Sequence, residues 1–167
     1  QKSVMVGQKY GELPEGIKEG HALSGWWLSS NHQGTQIATN SLVETANNHT
    51  LYAKWSPFFY AVKFNAQGGS VSTGMTTVTY GTKYGNLPVS TNVGHTFDGW
   101  WTTPSSGGTR ITSDTLFLNA GMQELYARWT PNKYKISFNA GEHDTLSMTE
   151  KSVTYGNTYG TLPTATR

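Results

Sequence analysis

Histidine is the residue type in this chain that first suggests chemistry, because imidazole binds metals and transfers protons near neutral pH. None of the five histidines stands in a His-Glu-x-x-His pattern or at another spacing typical of metal ligands. The chain has no cysteine, which excludes thiolate metal sites, cysteine nucleophiles and disulfides. Two of the histidines precede similar tryptophan-containing stretches, which a metal site could use, but we favour a turn or surface position. The five are His21, His32, His49, His95 and His143.

Other polar clusters give no stronger indication of catalysis. Glu142-His143-Asp144 resembles a small acid/base group, but it stands where a hairpin turn is expected, and a solvated turn explains it. Residues 106–109 are glycine-rich, yet they lack the lysine and the following helix of a phosphate-binding loop. Asp98 is replaced by Ser24 in an earlier copy of the same stretch, so no carboxylate is required there. We therefore predict that the protein is not an enzyme and has no catalytic, cofactor-binding or metal-binding residues.

Two adjacent tryptophan pairs, Trp26-Trp27 and Trp100-Trp101, are the best candidates for ligand contact. Successive side chains of a strand point to opposite faces, so one ring of each pair should enter the core while the other stays partly exposed. An exposed indole near tyrosines can stack on a sugar or anchor a protein partner. The alternative, which we favour, is that the outer ring covers a thin sheet or packs against a neighbouring unit. The residues selected for ligand or partner contact are Trp27, Trp101, Tyr52 and Tyr126.

These residues belong to a unit that is repeated along the chain. Leu23-Ser24-Gly25-Trp26-Trp27 corresponds to Phe97-Asp98-Gly99-Trp100-Trp101, 74 positions later. Leu51-Tyr52-Ala53-Lys54-Trp55 corresponds to Leu125-Tyr126-Ala127-Arg128-Trp129 at the same offset. A shared offset across separate motifs indicates the duplication of one folding unit.

The repeat divides the chain into three predicted parts. Residues 1–55 are expected to form a partial repeat that lacks its first strand, residues 56–130 a complete repeat, and residues 131–167 a partial repeat with the first hairpin only. A proline follows each closing tryptophan, at Pro57 and Pro131, where it stops strand pairing and stiffens a short linker. The parts should therefore form a semi-rigid string of similar units.

Alternating apolar and β-branched residues predict short strands throughout the repeat. In the complete copy the first strand should place Val62 and Phe64 on one face, turn at Gly68-Gly69, and pair with the next strand as a hairpin. The tryptophan strand and a closing Leu-Tyr-Ala-Arg-Trp strand follow. Residues 111–121 lack a period of two and could hold one short helical turn. The predicted fold class is mainly β, of the α+β type, with at most a short helix per repeat.

Composition excludes several classes of partner. The net charge is only +2 and the basic residues are scattered, so nucleic acid is not an expected partner. No run of about 18 apolar residues exists, so membrane insertion is not expected. Aromatic residues make up 13% of the chain. Because small units usually need a disulfide or metal, the aromatic rings must here supply the core.

The combined motifs resemble the Listeria–Bacteroides repeat, the unit called the B-repeat in the surface protein internalin B. The matching motifs of the complete copy start at Phe64 (Phe-Asn-Ala-x-Gly-Gly), Val78 (Val-Thr-Tyr-Gly), Tyr84 (Tyr-Gly-x-Leu-Pro), Phe97 (Phe-Asp-Gly-Trp-Trp) and Leu125 (Leu-Tyr-Ala-Arg-Trp). The resemblance implies tandem β-grasp (ubiquitin-like) repeats with a mixed or antiparallel sheet, found in large bacterial surface proteins. It also implies no catalysis, no cofactor, and a role in spacing a binding domain from the cell wall and adding adhesive contacts.

The leading functional hypothesis is therefore a structural and adhesive stalk of an extracellular, cell-surface or secreted bacterial protein. It would contact a protein or glycan on a host or neighbouring cell. A first alternative is a carbohydrate-binding module that uses Trp27 and Trp101. A second is an assembly unit: the missing strand of the first part and the unpaired strand of the third are complementary, so one molecule could complete another head to tail by strand addition.

Overall fold

A computed structural model of the protein describes residues 1–142 and 145–166, and these residues form fourteen short strands and no helix. The mainly β prediction is therefore confirmed for the described part of the chain. The strands are β1 His21–Trp27, β2 Gln36–Ile37, β3 Tyr52–Pro57, β4 Phe59–Asn65, β5 Ser70–Val71, β6 Met75–Thr79, β7 Ser90–Thr91, β8 His95–Trp101, β9 Arg110–Ile111, β10 Gln123–Pro131, β11 Lys133–Ser137, β12 Thr145–Leu146, β13 Glu150–Thr154 and β14 Ala165–Thr166.

The chain folds as two compact units. The first holds Gln1–Ala61, Thr77–Lys83 and Leu116–Met122, and the second holds Val62–Thr76, Tyr84–Thr115 and the described residues from Gln123 onward. The largest sheets have the strand orders β2-β1-β3 and β6-β4-β10-β8-β9, and three two-stranded pairs, β5–β7, β11–β13 and β12–β14, complete the sheets of the described residues. The proposed repeat boundaries near residues 55 and 130 stay predictions.

The two copies of the tryptophan strand share one register. Strand β1 pairs antiparallel with β2 and β3, and β8 pairs antiparallel with β9 and β10. Trp26 lies opposite Ala53, and Trp100 lies opposite Ala127, its counterpart 74 positions later. The duplication in the sequence is therefore a duplication of strand pairing.

A bulge interrupts each tryptophan strand at the same place. In the first copy the register shifts between Leu23 and Gly25, and in the second it shifts opposite Arg128 and Trp129. The backbone φ is 138° at Gly25 and 102° at Gly99. These values lie in the region that favours glycine, which explains why each copy has Gly directly before its tryptophans.

Strand β10 lies at the centre of the five-stranded sheet. It pairs in parallel with β4, where Leu125 lies opposite Phe64, and antiparallel with β8 on its other side. The predicted hairpin of the first two long strands is confirmed, because β4 and β6 are neighbours in this sheet. At the start of its turn the Gly69 N–H donates to the Ala66 carbonyl at 2.9 Å, and Gly68 has a φ of 85°.

The closing strand β10 alternates as its sequence predicts. Leu125 and Ala127 face inward and are buried, whereas Tyr126 and Arg128 stay partly exposed on the other face. Removing apolar surface from water stabilises the fold by roughly 25 cal/mol per Å². This face therefore contributes to stability, while the opposite face is available for other contacts.

Trp100 is the central side chain of the second unit, with only 1% of its surface exposed. Phe64 and Phe97 pack against it with ring centroids 4.8 and 5.4 Å away. Its indole N–H donates to the Pro88 carbonyl at 2.7 Å, so burial leaves no polar atom of the ring unpaired.

A smaller apolar cluster lies in the first unit. It combines residues of the segment before β1 with one residue each of β1 and β2 and with residues of the segment between β2 and β3. Its buried members are Tyr10, Ile37 and Val43, and Val4, Leu13, Trp26 and Leu51 pack against them with part of their surface exposed.

The prediction of a short helical turn within residues 111–121 is wrong. The Thr115 N–H donates to the Thr112 carbonyl at 3.1 Å and closes a tight turn. The Phe117 N–H then donates to the Thr82 carbonyl, and the Phe117 carbonyl accepts from the Gly81 N–H, both at 2.8 Å. This side-by-side pairing uses backbone groups that a helix would bond internally. It also buries the Phe117 ring completely.

Of the suggested acid/base cluster Glu142-His143-Asp144, His143 and Asp144 lie outside the described residues. The altered hairpin turn predicted there therefore stays a prediction. The flanking strands β11 and β13 form the expected antiparallel pair, with Ile136 opposite Lys151.

Candidate functional site

The surface that the sequence selects lies on the outward side of the sheets. In the second unit Trp101 and Tyr126 are direct cross-strand partners on β8 and β10. In the first unit Trp27 and Tyr52 are partners in the same way on β1 and β3. The structure thus brings the four predicted residues together as two pairs, one in each unit. We call these pairs, with the side chains that touch them, the outer faces.

The Arg128 guanidinium covers the Trp101 ring. Its central carbon lies 3.9 Å from a ring centroid of Trp101, a cation–π contact at close range. One amino group of Arg128 donates to the Thr103 hydroxyl at 2.9 Å and to the carbonyls of Ser105 and Gly107. The turn after β8 therefore holds the cation in place over the indole.

Two nitrogen atoms of this stack have no partner among the described residues. They are Nε1 of Trp101 and Nε of Arg128, and both are buried. Buried N–H donors usually have a hydrogen-bond partner, so two neighbouring donors without one are unusual. Both N–H groups lie within the Trp101–Arg128 stack of the second unit.

A polar network surrounds the other member of the pair. The Tyr126 hydroxyl donates to Glu124 at 3.0 Å, and Glu124 also accepts from Asn65 at 3.2 Å and pairs with Lys63 at 3.2 Å. The hydrogen bond from Tyr126, followed by those from Lys63 and Asn65, lowers the pKa of Glu124. Its bond to Glu124 raises the pKa of Tyr126. The ion pair is exposed and contributes little stability, so the network mainly orients the tyrosine.

The first unit closes its tryptophan differently. Trp27 keeps only 8% of its surface exposed, because the His32 ring packs edge-on against it with centroids 5.8 Å apart. His32 Nε2 lies 3.0 Å from the Ala53 carbonyl, to which a protonated Nε2 donates. The Lys54 ammonium lies 5.3 Å from the Trp27 ring. Tyr52 is the open member of the pair, with 40% of its surface exposed.

Sequence reasoning did not select Arg128 or His32, the two residues that cover the outer tryptophans. Arg128 could have been found, because it stands two positions after Tyr126 on the same face of a strand. His32 gave no such signal, since it lies in a turn and reaches Trp27 only through the fold. It also has a φ of 57°, which few residues other than glycine adopt.

The two histidines considered for a metal site have other contacts. His21 Nδ1 lies 2.7 Å from the Glu19 carbonyl, and His95 Nδ1 lies 2.9 Å from the Val93 carbonyl. Each is thus engaged by the turn it sits in, which is the interpretation that the sequence favoured. No group of three potential metal-ligating side chains forms within residues 1–142 and 145–166.

An open groove of about 860 Å³ lies in the first unit. Val4, Leu13, Trp26 and Leu51 supply much of its apolar lining, and polar residues, among them Lys2, Asn47, Asn48 and His49, line the rest. The counterparts of Trp26 and Leu51 in the second unit are Trp100 and Leu125. Those two side chains are covered there, whereas the groove leaves its own pair partly exposed.

Comparisons with known proteins point to one family. The Listeria–Bacteroides repeat domain model matches residues 1–54 and 60–128. A protein of Evansella cellulosilytica provisionally named a membrane protein is 33% identical over 147 residues, covering 84% of this chain and 20% of that protein. Internalin H of Listeria monocytogenes is 33% identical over 138 residues, covering 79% of this chain and 24% of its own length.

The chain spans 17–24% of the length of these curated relatives and of a second, glycine-rich Evansella protein. No solved structure matches the chain significantly. Within the described residues, no helix has the length and apolar character needed to cross a bilayer.

Proposed function

The chain belongs to the Listeria–Bacteroides repeat family, and from this premise we propose that it is a non-enzymatic structural repeat that acts as a spacer in a bacterial surface or secreted protein. The observation that carries the proposal is that one sheet is built twice, as β2-β1-β3 and as β9-β8-β10, in a single register. Arrays of equal units extend by adding copies, and their stability is a sum of unit and neighbour contributions. The similarity to Internalin H supports a location at the cell surface.

The complete repeat is, on this proposal, a β-grasp domain. Counting its five main strands along the chain as β4, β6, β8, β9 and β10, their spatial order is second, first, fifth, third, fourth. The first and fifth strands are parallel, and β8 pairs antiparallel with both of its neighbours. A central parallel pair flanked by such strands is the arrangement expected of a β-grasp sheet. An experimental structure of this chain would test the assignment directly.

A display experiment tests the spacer function. A small binding domain is anchored to a bacterial surface either directly or through this 167-residue chain, and binding to large, ligand-coated beads is counted. A spacer should increase bead binding well above that of the direct fusion. A flexible Gly/Ser linker with the same number of residues is the control for length. Bead binding no better than that of the direct fusion would contradict the proposal.

The adhesive part of the function is assigned to the outer face of the second unit. Trp, Tyr and Arg are the residues most enriched where proteins bind each other tightly, and Trp101, Tyr126 and Arg128 meet there. A glycan would need a free ring face on which to stack, and Arg128 covers the Trp101 ring while Trp27 is nearly enclosed. The geometry therefore favours a protein partner over a carbohydrate.

Glycan binding stays the alternative, and an array of glycans separates the two. The adhesive proposal predicts binding to intact host or neighbouring cells that protease treatment of those cells abolishes. Trp101→Ala should weaken this binding, whereas Phe59→Ala, which removes a highly exposed ring elsewhere, should not. Specific binding to one glycan class, lost in Trp101→Ala with the fold retained, would favour the carbohydrate-binding module.

A second candidate function is assembly by strand addition between molecules. In the second unit β4 lies in parallel beside β10 and places Phe64 on Trp100. Residues 1–55, all of them described, contain no counterpart of β4, and the groove beside Trp26 is open. Strand β11 of another molecule carries Ile136 at the position of Val62 and is followed by Phe138 at the position of Phe64. It therefore has suitable side chains to fill the groove.

Light scattering over a wide concentration range tests the assembly. Strand addition predicts head-to-tail dimers and longer species whose fraction rises with concentration. Phe138→Asp should abolish them, because a carboxylate would then replace the ring that packs against the apolar side chains around Trp26. A strict monomer at high concentration would reject this function without affecting the spacer proposal.

A further inference from the structure

Each tryptophan strand begins with a Gly-His step: Gly20 and Gly94 stand directly before β1 and β8, and His21 and His95 are the first residues of these strands. The glycines have φ values of 68° and 71°, which turn the chain back so that each histidine bridges a residue three positions earlier. In each turn the glycine α-carbon and the edge of the histidine ring therefore lie next to each other. The duplicated turn belongs to neither the outer faces nor the groove.

A tyrosine ring occupies each of these turns. The Tyr80 ring lies against Gly20, where a Cβ built on the glycine would come within 2.2–2.4 Å of three ring atoms, and Tyr155 lies against Gly94 in the same way, at 2.3–2.4 Å. The histidine completes each contact edge-on. The His21–Tyr80 centroids are 5.5 Å apart at 77°, and the His95–Tyr155 centroids are 5.3 Å apart at 75°. Only glycine permits this approach, so the residue type is fixed by the neighbouring ring as well as by φ.

Backbone hydrogen bonds repeat the same connection. In the first case the Phe58 N–H donates to the Gly20 carbonyl at 2.8 Å, and the Tyr80 N–H donates to the Phe58 carbonyl at 2.9 Å. A linker residue just after the closing strand thus joins the turn to the tyrosine. All of these residues lie in the first compact unit.

The second case uses Asn132 in the place of Phe58. Its N–H donates to the Gly94 carbonyl and its carbonyl accepts from the Tyr155 N–H, both at 2.8 Å. The Asn132 side chain also pairs with the Thr96 hydroxyl at 2.7 Å. These residues lie in the second compact unit. The same connection therefore occurs twice in the chain, although the third copy has one extra residue before its tyrosine.

The tyrosine always comes from the following copy of the repeat. Tyr80 and Tyr155 stand in its Val-Thr-Tyr-Gly motif, beyond the linker that ends the preceding copy. We propose that the Gly-His turn is a socket for the tyrosine of the next repeat, and that this socket joint holds successive repeats in a fixed orientation. The inference deepens the proposed spacer function, since a fixed joint makes a string of units stiff. It rests on the pair of contacts and does not depend on where the protein is located.

Matched glycine variants test the socket. Gly94→Ala should lower the urea midpoint of the chain more than Gly85→Ala. Gly85 has an almost equal φ of 70° but no heavy atom within 4 Å of the point that an added Cβ would occupy, so it reports the backbone strain alone. In a Tyr155→Val background the extra effect of Gly94→Ala should disappear, because the ring that it strikes is gone. Equal effects of the two glycine variants would overturn the proposal.

The fixed orientation is tested by distance measurements. Because the chain has no cysteine, Thr73→Cys and Asn157→Cys place two spin labels at exposed sites on the second and third copies. The parent should give a narrow distance distribution and Tyr155→Val a broad one. Val stands at this position in the first copy, as Val6, so the repeat itself accommodates the change.

Amide exchange in the β11–β13 pair serves as the control for folding of Tyr155→Val. A distribution as narrow as that of the parent, with the pair intact, would overturn the proposal. If Tyr155→Val loses the β11–β13 pair, the comparison of Gly94→Ala with Gly85→Ala decides whether the socket exists. If the socket tests fail but the chain still increases bead binding in the display experiment, the socket joint is rejected and the spacer function is retained.

Discussion

The two copies of the tryptophan strand have the same register but differ in how well their inner indole is enclosed. Trp100 is 1% exposed, whereas Trp26 at the same position is only partly buried and lines an open groove. Both indole N–H groups reach a proline carbonyl, Pro88 at 2.7 Å and Pro14 at 3.1 Å. Both indoles therefore keep this hydrogen bond, although their exposure to solvent differs. What differs is β4, whose Phe64 covers Trp100.

The outer indoles differ for another reason. Trp101 is covered by a cation from its own sheet, and the turn oxygens hold that cation in place. Trp27 is covered by His32, a residue of the turn itself. The burial of the inner indole therefore depends on the presence of a neighbouring strand, whereas the cover of the outer indole depends on the sequence of one turn. Each cause can be changed separately.

The largest expected effect comes from removing the inner indoles. Trp100→Ala should destabilise the second unit by about 3–5 kcal/mol, the usual cost of truncating a buried Trp. Trp26→Ala should cost the first unit less, because part of its ring is already in contact with water. Urea unfolding followed by NMR signals of each unit measures both. Equal losses would show that β4 does not account for the difference.

A smaller loss of stability is expected when Phe64, which covers Trp100, is changed and Trp100 itself is kept. Phe64→Leu should destabilise the second unit by about 1–2 kcal/mol, since an aromatic contact is lost but an apolar side chain remains. Trp100 should also become more accessible to acrylamide, as Trp26 already is. Phe138→Leu, the same change in a partly exposed position of the third copy, is the control. Unchanged quenching in Phe64→Leu would contradict the role assigned to β4.

Substituting the basic residue beside each outer tryptophan should change stability to a different extent in the two units. Arg128→Lys should cost about 1 kcal/mol, because lysine cannot keep both the stack on Trp101 and the bonds to the turn. Lys54→Arg in the first unit should change stability by less than about 0.5 kcal/mol, as Lys54 is exposed and distant from its ring. Thermal unfolding of the two variants beside the parent decides the matter. Similar losses in both would mean that the turn does not hold the cation.

A further difference between the units is expected in alkaline solution. Burial raises the pKa of Tyr84 from its ordinary value of 10.0 to about 12, against a smaller opposing effect of its hydrogen bond to Gln123. The folded state favours the neutral phenol, so this stabilisation is complete below pH 10 and is lost as pH rises through about 12. Tyr84→Phe should reduce the alkaline loss of stability in the second unit. A stability–pH slope that matches the parent's would refute the assignment.

Its counterpart Tyr10 provides the comparison for that experiment. Burial, and then the nearby charge of Glu44, raises the pKa of Tyr10 as well. Its hydroxyl, however, lies 2.7 Å from His49 instead of a glutamine. The Tyr84→Phe variant should therefore leave the alkaline response of the first unit unchanged. A change there would indicate that the two units do not unfold separately.

Local pattern was enough to predict the strands and their faces. The alternation of the closing strand predicted that Leu125 and Tyr126 lie on opposite faces, because a strand has a period of two wherever it lies. The bulge at Gly25 and Gly99 leaves this alternation intact for the tryptophans that follow. The short helical turn was predicted wrongly, because residues 111–121 pair with a distant segment instead of with each other.

Contacts between distant residues could not be predicted in the same way. Tyr80 meets Gly20 from 60 positions away, and no periodicity links them. His32 reaches Trp27 through the path of a turn whose sequence differs between the copies. The repeat offset did single out His21 and His95 as equivalent, but their partners became visible only in the fold.

The parallel pairing of β4 with β10 has a mechanical consequence. The complete copy begins with β4 and ends with β10, and these two strands lie side by side and run in the same direction. Tension applied at the two ends pulls the neighbours lengthwise past each other, so the ladder between Val62–Asn65 and Gln123–Tyr126 is loaded all at once instead of opening rung by rung. A pull along the chain would thus be borne by all the backbone hydrogen bonds of this strand pair together.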